Sequence, residues 1–198
     1  MRNKPVKRSR SKDQQERSKL WMYLLLGAAA FGLIALGYLL YLGIQEPEAL
    51  AGIQRFVGLS RGHDETEDYS ALDLPPSGGL HSGIWQNCGI YEQPVEANNV
   101  VHSMEHGAVW ITYSPGLLEK DIETLQDHVR GETHLLLSPF PGLRSPVVLT
   151  AWGVQLEVES ADDDRIADFI DQYQRGPQNP EVGATCSNGL GTPINPEP

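Results

Sequence analysis

Positive charge is scarce in this sequence beyond its first 19 residues. Residues 20–198 hold 7 of the 15 lysines and arginines but 24 of the 26 acidic residues. So acidic a segment repels the phosphate backbone of nucleic acids, and we therefore predict no nucleic-acid partner. Two fingerprints of nucleotide-binding folds are also missing, the Walker loop Gly-x-x-x-x-Gly-Lys-Ser/Thr and the Gly-x-Gly-x-x-Gly turn. The sequence thus gives no sign of a nucleotide site.

Charge of either sign is absent between Leu20 and Ile44. A helix needs about 20 apolar residues to cross a bilayer, so we predict a transmembrane helix over residues 20–44. Residues 1–19 form a tail with eight basic and two acidic residues. Basic flanks stay in the cytoplasm, which predicts a single-pass protein of the cytoplasmic membrane whose remaining chain is extracytoplasmic. The alternative is a signal peptide cleaved at Ala49-Leu50-Ala51, although signal peptides have apolar regions of only about 7–15 residues.

Cysteine is rare, since Cys88 and Cys186 are the only two in the chain. Both follow the predicted span, and an isolated pair in an oxidising compartment usually forms a disulfide. Closing so long a loop stabilises a domain by about 3–5 kcal/mol in the chain-entropy model. The alternative is that the thiolate of Cys88 is a metal ligand.

The chain beyond the span is divided by its composition. Residues 45–74 include an acidic, polar run and are predicted to form a stalk or linker in which His63 is solvated. A Pro-Pro pair marks the start of a folded domain over residues 75–187. Residues 188–198 follow the last cysteine and are predicted to be a flexible tail.

Hydrophobic periodicity predicts the order of elements in the folded domain. Buried β-branched runs predict strands, and stretches with apolar residues every three or four positions predict amphipathic helices. The predicted strands cover 107–113, 133–137, 146–152 and 154–158, and the predicted helices cover 117–130 and 160–175. Consecutive strands without intervening helices are typical of antiparallel pairing. We therefore predict an α+β domain with a mostly antiparallel sheet and two main helices.

Two histidines, a methionine and a carboxylate fall within His102-Ser103-Met104-Glu105-His106. On a strand, His102, Met104 and His106 would project from one face, whereas on a helix the two histidines would share a face at positions i and i+4. Imidazole nitrogen and thioether sulfur suit copper, with zinc as the alternative ion. We predict a metal site whose ligands are His102, His106, Met104 and His81, with Glu105 as a supporting partner that orients a histidine.

The same five residues match the inverted zincin pattern His-x-x-Glu-His. In that class of hydrolase the histidines bind zinc from a helix and the glutamate is the general base. Gly107 and the strand after it leave little room for the long helix and distant third ligand of such an enzyme. A zinc hydrolase is therefore the third hypothesis. The second is a non-metal module that docks on a membrane protein and whose histidines are structural.

Several ungapped motifs carry a resemblance to a known family. They are Trp85-Gln86-Asn87-Cys88-Gly89-Ile90-Tyr91, Val101 to Trp110, Ser138-Pro139-Phe140-Pro141-Gly142-Leu143, Ser145-Pro146-Val147-Val148, Ala151-Trp152-Gly153 and Gly176-Pro177-Gln178. Over residues 75–187 the chain resembles the bacterial family catalogued as domain of unknown function 3105. The resemblance implies a basic cytoplasmic tail, one span and an exported domain, and it implies no activity. The leading hypothesis is thus a membrane-anchored, extracytoplasmic domain that binds a transition metal, preferably copper.

Overall fold

The computed structural model describes residues 9–44 and 50–195, and the chain divides into two units, Met1–Ala49 and Leu50–Pro198. The described part of the first unit is one helix, α1 (Ser9–Ile44). Its segment Gln15–Leu39 is long and apolar enough to cross a membrane, and a signal sequence would meet the same criterion. The parts of the predicted tail, stalk and C-terminal segment that fall on 1–8, 45–49 and 196–198 lie outside the described residues.

The second unit is an α+β domain, as predicted. Its helices are α2 (Ala97–Glu105), α3 (Glu119–Val129) and α4 (Arg165–Tyr173), and its strands are β1 (Gln54–Arg55), β2 (Gly89–Ile90), β3 (Val109–Tyr113), β4 (Leu135–Pro139), β5 (Val147–Ala151) and β6 (Val154–Val158). The strands β3 to β6 and the helices α3 and α4 confirm the predicted elements. Helix α4 begins later than predicted because Ser160 accepts the Asp162 N–H in a preceding turn, and Asp164 is the N-cap.

One mixed sheet in the order β1-β6-β5-β3-β4-β2 organises the domain. The pairs β1–β6, β5–β6 and β3–β5 are antiparallel, whereas β3–β4 and β2–β4 are parallel. The antiparallel prediction is therefore right for the consecutive strands and wrong for β3–β4. Helix α3 connects those two strands, and a helical crossover returns the second strand parallel to the first.

The two faces of the sheet bury different clusters, because successive residues of a strand point to opposite faces. On one face, Ile111 belongs to an apolar cluster with Leu125 of α3 and Phe169 of α4. On the opposite face, Trp110 belongs to a second cluster with Met104 of α2. Helix α2 therefore covers the face of the sheet that α3 and α4 leave free. This second cluster holds in place the helix that carries the residues described below.

Residues 50–74 lie on the folded unit rather than in a free stalk. Leu50 and Ile53 pack against the first apolar cluster, and β1 pairs with β6. The Tyr69 hydroxyl donates to the Leu80 carbonyl at 2.7 Å. The stalk prediction is corrected from Leu50 onward, since a local acidic composition does not reveal these distant contacts. Residues 188–195, predicted as a tail, also contact the domain: the Ile194 N–H donates to the Ile90 carbonyl at 3.0 Å.

Candidate metal centre

Helix α2 and the residue that caps it carry three ionisable side chains on one side. His102 and His106 are one turn apart, and Glu105 is adjacent to them around the helix axis. Gly107 ends the helix with a φ of 114°, and a Cβ at this position would lie 3.0 Å from the Cα of Arg175. Only glycine fits this turn, which leads directly into β3. The turn therefore fixes where His106 is presented.

Met104 lies on the opposite side of α2. Each residue of a helix is rotated by about 100° from the last, so Met104 points away from His102 and His106. Its side chain is fully buried in the second apolar cluster. The prediction that Met104 is a metal ligand is therefore wrong, because it required the segment to be a strand.

Two further histidines come from the loops that precede β2. His63 and His81 form a parallel β-bridge, in which the His81 N–H donates to the Gly62 carbonyl at 3.1 Å. The ring centroids of His63 and His81 are 5.0 Å apart. The ring centroid of His102 lies 5.1 Å from that of His63 and 5.0 Å from that of His81. The ligand atoms of His63, His81, His102 and Glu105, hereafter the inner group, all lie within 4.8 Å of one another.

The buried histidines direct the same ring nitrogen into the cluster. Their Nδ1 atoms contact backbone carbonyls, His81 with Gly79 at 2.8 Å, His102 with Ser82 at 2.7 Å and His106 with Thr185 at 2.7 Å. A carbonyl can only accept, so each Nδ1 carries a proton and Nε2 is the ring nitrogen that faces the cluster. Metal-binding histidines have this arrangement, with one nitrogen on the ion and the other N–H held by an acceptor.

His81 and Glu105 are joined by a buried hydrogen bond. Nε2 of His81 is 2.9 Å from Oε2 of Glu105, and the Nδ1 proton of the same ring is already donated to Gly79. A hydrogen bond between Nε2 and a carboxylate oxygen needs a second proton, carried by one of the two groups. A metal ion bound to both atoms would replace that proton. Glu105 is therefore a candidate ligand beside His81, in addition to the supporting role predicted from the sequence.

Three members of the inner group are buried, namely His81, His102 and Glu105, whereas His63 is exposed. The side chains of His81 and Glu105 are 0% and 4% exposed. Burial lowers the pKa of His102, the hydrogen bond to Ser82 opposes this shift, and the neighbouring histidines lower the pKa further. His102 is therefore neutral near pH 7, which is the form that binds a metal ion.

A second group of ligands shares His102 with the first. Nε2 of His106 is 3.6 Å from Oε2 of Glu181, and the ligand atoms of His102, His106 and Glu181 all lie within 4.8 Å of one another. The ring of Trp85 packs against both histidines, with centroids 5.7 Å from His102 and 4.9 Å from His106. The Glu181 side chain is 58% exposed. The cluster therefore faces solvent at Glu181 of this outer group as well as at the exposed His63 of the inner group.

Cys88 and Cys186 lie at disulfide distance, with sulfur atoms 1.91 Å and Cα atoms 5.4 Å apart. The pair fits the predicted disulfide and leaves no thiolate on Cys88 for a metal. The Cys88 N–H also donates to the Cys186 carbonyl at 2.8 Å. Because Thr185 precedes Cys186, these bonds hold the carbonyl that orients His106.

The structure brings three predicted ligands together and adds two that the sequence analysis missed. His81, His102 and His106 converge as expected. His63 was interpreted as solvated because its neighbours in sequence are acidic; it is indeed exposed, but the β-bridge also places it beside His81. Glu181 lies in a segment without periodicity, and the cysteine five residues later is the one signal that could have located it near Cys88.

The fold and the cluster define an α+β domain with a partly buried group of histidines and carboxylates. The family described as "Protein of unknown function (DUF3105)" matches residues 63–188, which is more than half of the chain, and the protein belongs to this family. The match begins at His63 and so includes every residue of the inner and outer groups. No curated protein and no solved structure matches the chain significantly.

Proposed function

We propose that the domain binds one divalent transition-metal ion through the inner group. The observation that carries the proposal is the pair of short contacts from Nδ1 of His81 and of His102 to backbone carbonyls, which turn the Nε2 atoms of both rings towards the cluster. Ligands of one tetrahedral ion, with bonds of about 2.0–2.2 Å, lie about 3.4 Å apart. The ligand atoms of the inner group, all within 4.8 Å, would reach this spacing by small side-chain movements.

The ligand set favours Cu²⁺ or Zn²⁺. Imidazole suits both ions, and both accept a carboxylate oxygen. The sequence-based preference for copper used the thioether of Met104, which lies in the apolar core, so Cu⁺ is no longer favoured. Among divalent ions, Cu²⁺ binds nitrogen and oxygen ligands more tightly than Zn²⁺ does. We therefore expect Cu²⁺ to displace Zn²⁺ in a competition experiment.

A bound ion would also explain why His81 and Glu105 are buried. A buried pair of ionisable groups contributes little net stability and is often no better than a pair of apolar side chains. The fold nevertheless keeps His81 and Glu105 almost completely away from water. A metal site gives these two residues a role that stability alone does not.

The test is the metal content of the full chain, purified in detergent and dialysed with Cu²⁺ or Zn²⁺, measured by mass spectrometry. We expect about one ion per chain, and none in the double variant His81→Ala/His102→Ala. His128→Ala is the matched control, because His128 lies on α3 and belongs to neither group. A folded parent without bound ion would contradict the proposal and favour the alternative of a docking module with structural histidines.

A zinc hydrolase is a second candidate, and one observation favours it. Glu181 supplies the distant third ligand that His-x-x-Glu-His needs, and two histidines with one glutamate form a known set for catalytic zinc. Glu105 would then be the general base. The zinc-loaded full chain should hydrolyse a mixed peptide library, and Glu105→Gln should keep the zinc but lose the turnover. Equal hydrolysis in zinc-loaded and metal-free samples would exclude this candidate.

We also propose that α1 anchors the chain in the cytoplasmic membrane with the folded unit outside. The apolar segment Gln15–Leu39 and the excess of basic residues in 1–19 support this orientation. A disulfide suits the same oxidising compartment. Alkaline phosphatase, which is active only outside the cytoplasm, should be active and membrane-bound when fused after Pro198. A soluble product shortened at its N-terminus would show that the segment is a cleaved signal instead.

A further inference from the structure

His102 belongs to both groups but can bind only one ion. Its Nδ1 proton is donated to the Ser82 carbonyl at 2.7 Å, so a single lone pair, on Nε2, is available. The rings of His102 and His106 are edge-on to each other with centroids 4.6 Å apart. An ion held by His102 could therefore exchange its remaining ligands between the inner and the outer group without leaving that histidine.

Both groups reach solvent, the inner group at the exposed His63 and the outer group at Glu181, whose side chain is 58% exposed. They differ in charge at that end, because Glu181 is an exposed carboxylate, whereas Glu105, the carboxylate of the inner group, is only 4% exposed. The outer group also offers only three protein ligands, which leaves a fourth position for water or for the carrier that delivers the ion. A negative charge at the solvent end attracts a divalent cation and raises its local concentration. The outer group thus has the features of a site through which an ion passes.

We infer that His106 and Glu181 form an exchange station through which the metal ion enters and leaves the inner group. The inference rests on the proposed metal binding. The ion first binds Glu181 and His106, then His102, and finally replaces the first two ligands with His81 and Glu105. The first steps exchange water on the ion for protein ligands, and in the last step each new bond replaces an old one while the proton shared by His81 and Glu105 leaves to water, so no intermediate loses most of its ligands. The exchange station therefore changes the rates of metal loading and release, whereas the inner group determines the dissociation constant.

The test is stopped-flow measurement of Zn²⁺ transfer between the full chain and a coloured chelator, in both directions. Glu181→Gln keeps the size of the side chain but removes its charge, and we expect both loading and release to slow by about fivefold. The dissociation constant should stay within about twofold of the parent, because both rates fall together. His106→Gln should give the same pattern. Glu159→Gln, which changes an exposed carboxylate outside both groups, is the matched control.

The possible outcomes separate the inference from the proposed function. Parent rates in Glu181→Gln would overturn the exchange station and leave the metal site intact. A large loss of affinity in Glu181→Gln would also overturn it, since Glu181 would then be a resting ligand. Two ions per chain would show that the groups are independent sites. A parent that binds no ion would overturn the proposed function itself.

Discussion

The two sides of helix α2 are both buried, but they contain opposite chemistry. On one side, Val101 and Met104 have no exposed surface. On the other side, His102 and Glu105 are only 5% and 3% exposed. A surface helix normally buries its apolar side and leaves its polar side in water. The contrast teaches that burial alone does not identify the residues that stabilise a fold. Here one side of α2 packs in the apolar cluster, whereas the other side carries candidate metal ligands.

Loss of the disulfide should lower the stability of the domain more than the single substitutions described below. It should affect both the apolar and the polar side of α2. The double variant Cys88→Ala/Cys186→Ala is expected to lower the free energy of unfolding by about 3–5 kcal/mol, because the bond closes a loop with a sequence separation of 98 residues. Urea unfolding of the full chain in detergent, followed by tryptophan fluorescence, measures this loss. A change below about 1 kcal/mol would mean that the C-terminal segment is held mainly by other contacts.

Truncation of the apolar side should affect stability but not metal binding. Met104→Ala leaves a cavity in the second cluster and should lower the free energy of unfolding by about 2–5 kcal/mol. The metal content per folded molecule should stay at the parent value. Met104→Leu conserves volume and should cost less than about 1.5 kcal/mol. Loss of metal in a folded Met104→Leu variant would restore the thioether as a ligand and remove the contrast.

A substitution on the polar side of α2 should affect metal binding but not stability. In Glu105→Gln the new amide can donate to Nε2 of His81, so the stability of the metal-free protein should change by less than about 1 kcal/mol. The affinity for Cu²⁺ or Zn²⁺ should fall at least about 10–100-fold, because the ion loses a charged ligand. Competition with a chelator of known affinity measures this change. Unchanged affinity would return Glu105 to the supporting role predicted from the sequence.

The ion pair between Arg144 and Glu157, outside α2, should contribute least to the free energy of unfolding. Its contribution is a reference against which the larger changes can be compared. The hydrogen bond from Arg144 lowers the pKa of Glu157 to about 2, and Ser145 and Gln54 also donate to this carboxylate. The contribution to stability is complete above pH 4.5, the unperturbed value, and is lost as the pH falls towards 2. Because Arg144 is 48% exposed, solvent screening reduces this contribution to about 1–2 kcal/mol.

The measurement is the difference in unfolding free energy between the parent and Glu157→Gln as a function of pH. This difference should be constant between pH 5 and 7 and should shrink below pH 4.5. A difference that persists unchanged at pH 3 would mean that packing, rather than the charge of Glu157, is responsible.

Local periodicity was sufficient to predict most strands of the sheet and two helices of the domain. Strands β3, β5 and β6 are short apolar runs between turns, and α3 and α4 have regular apolar stripes. The conformation of residues 97–105 could not be predicted, because its histidines share a face in either a helix or a strand. Parallel pairing of β3 with β4 was missed because it depends on the path of α3 around the sheet.

The candidate site was predicted only where its residues are close together in the sequence. His102 and His106 form a recognisable pattern, and the disulfide could be inferred from the cysteine count. His63 and Glu181 join through a β-bridge and through the neighbourhood of Cys186, which are contacts between distant parts of the chain. No local rule connects such residues, so composition placed His63 in a solvated linker.

The carbonyl of Thr185, which orients His106, has a consequence for the order of events in the cell. A chain that is still crossing the membrane unfolded has no metal site, because the ligands are separated by up to 118 residues. The site forms only after residue 185 has returned to residue 106 and Cys186 has been oxidised. On the proposed function, the ion would therefore be taken from the compartment in which the domain folds, and metal availability there, as much as ligand chemistry, would select it.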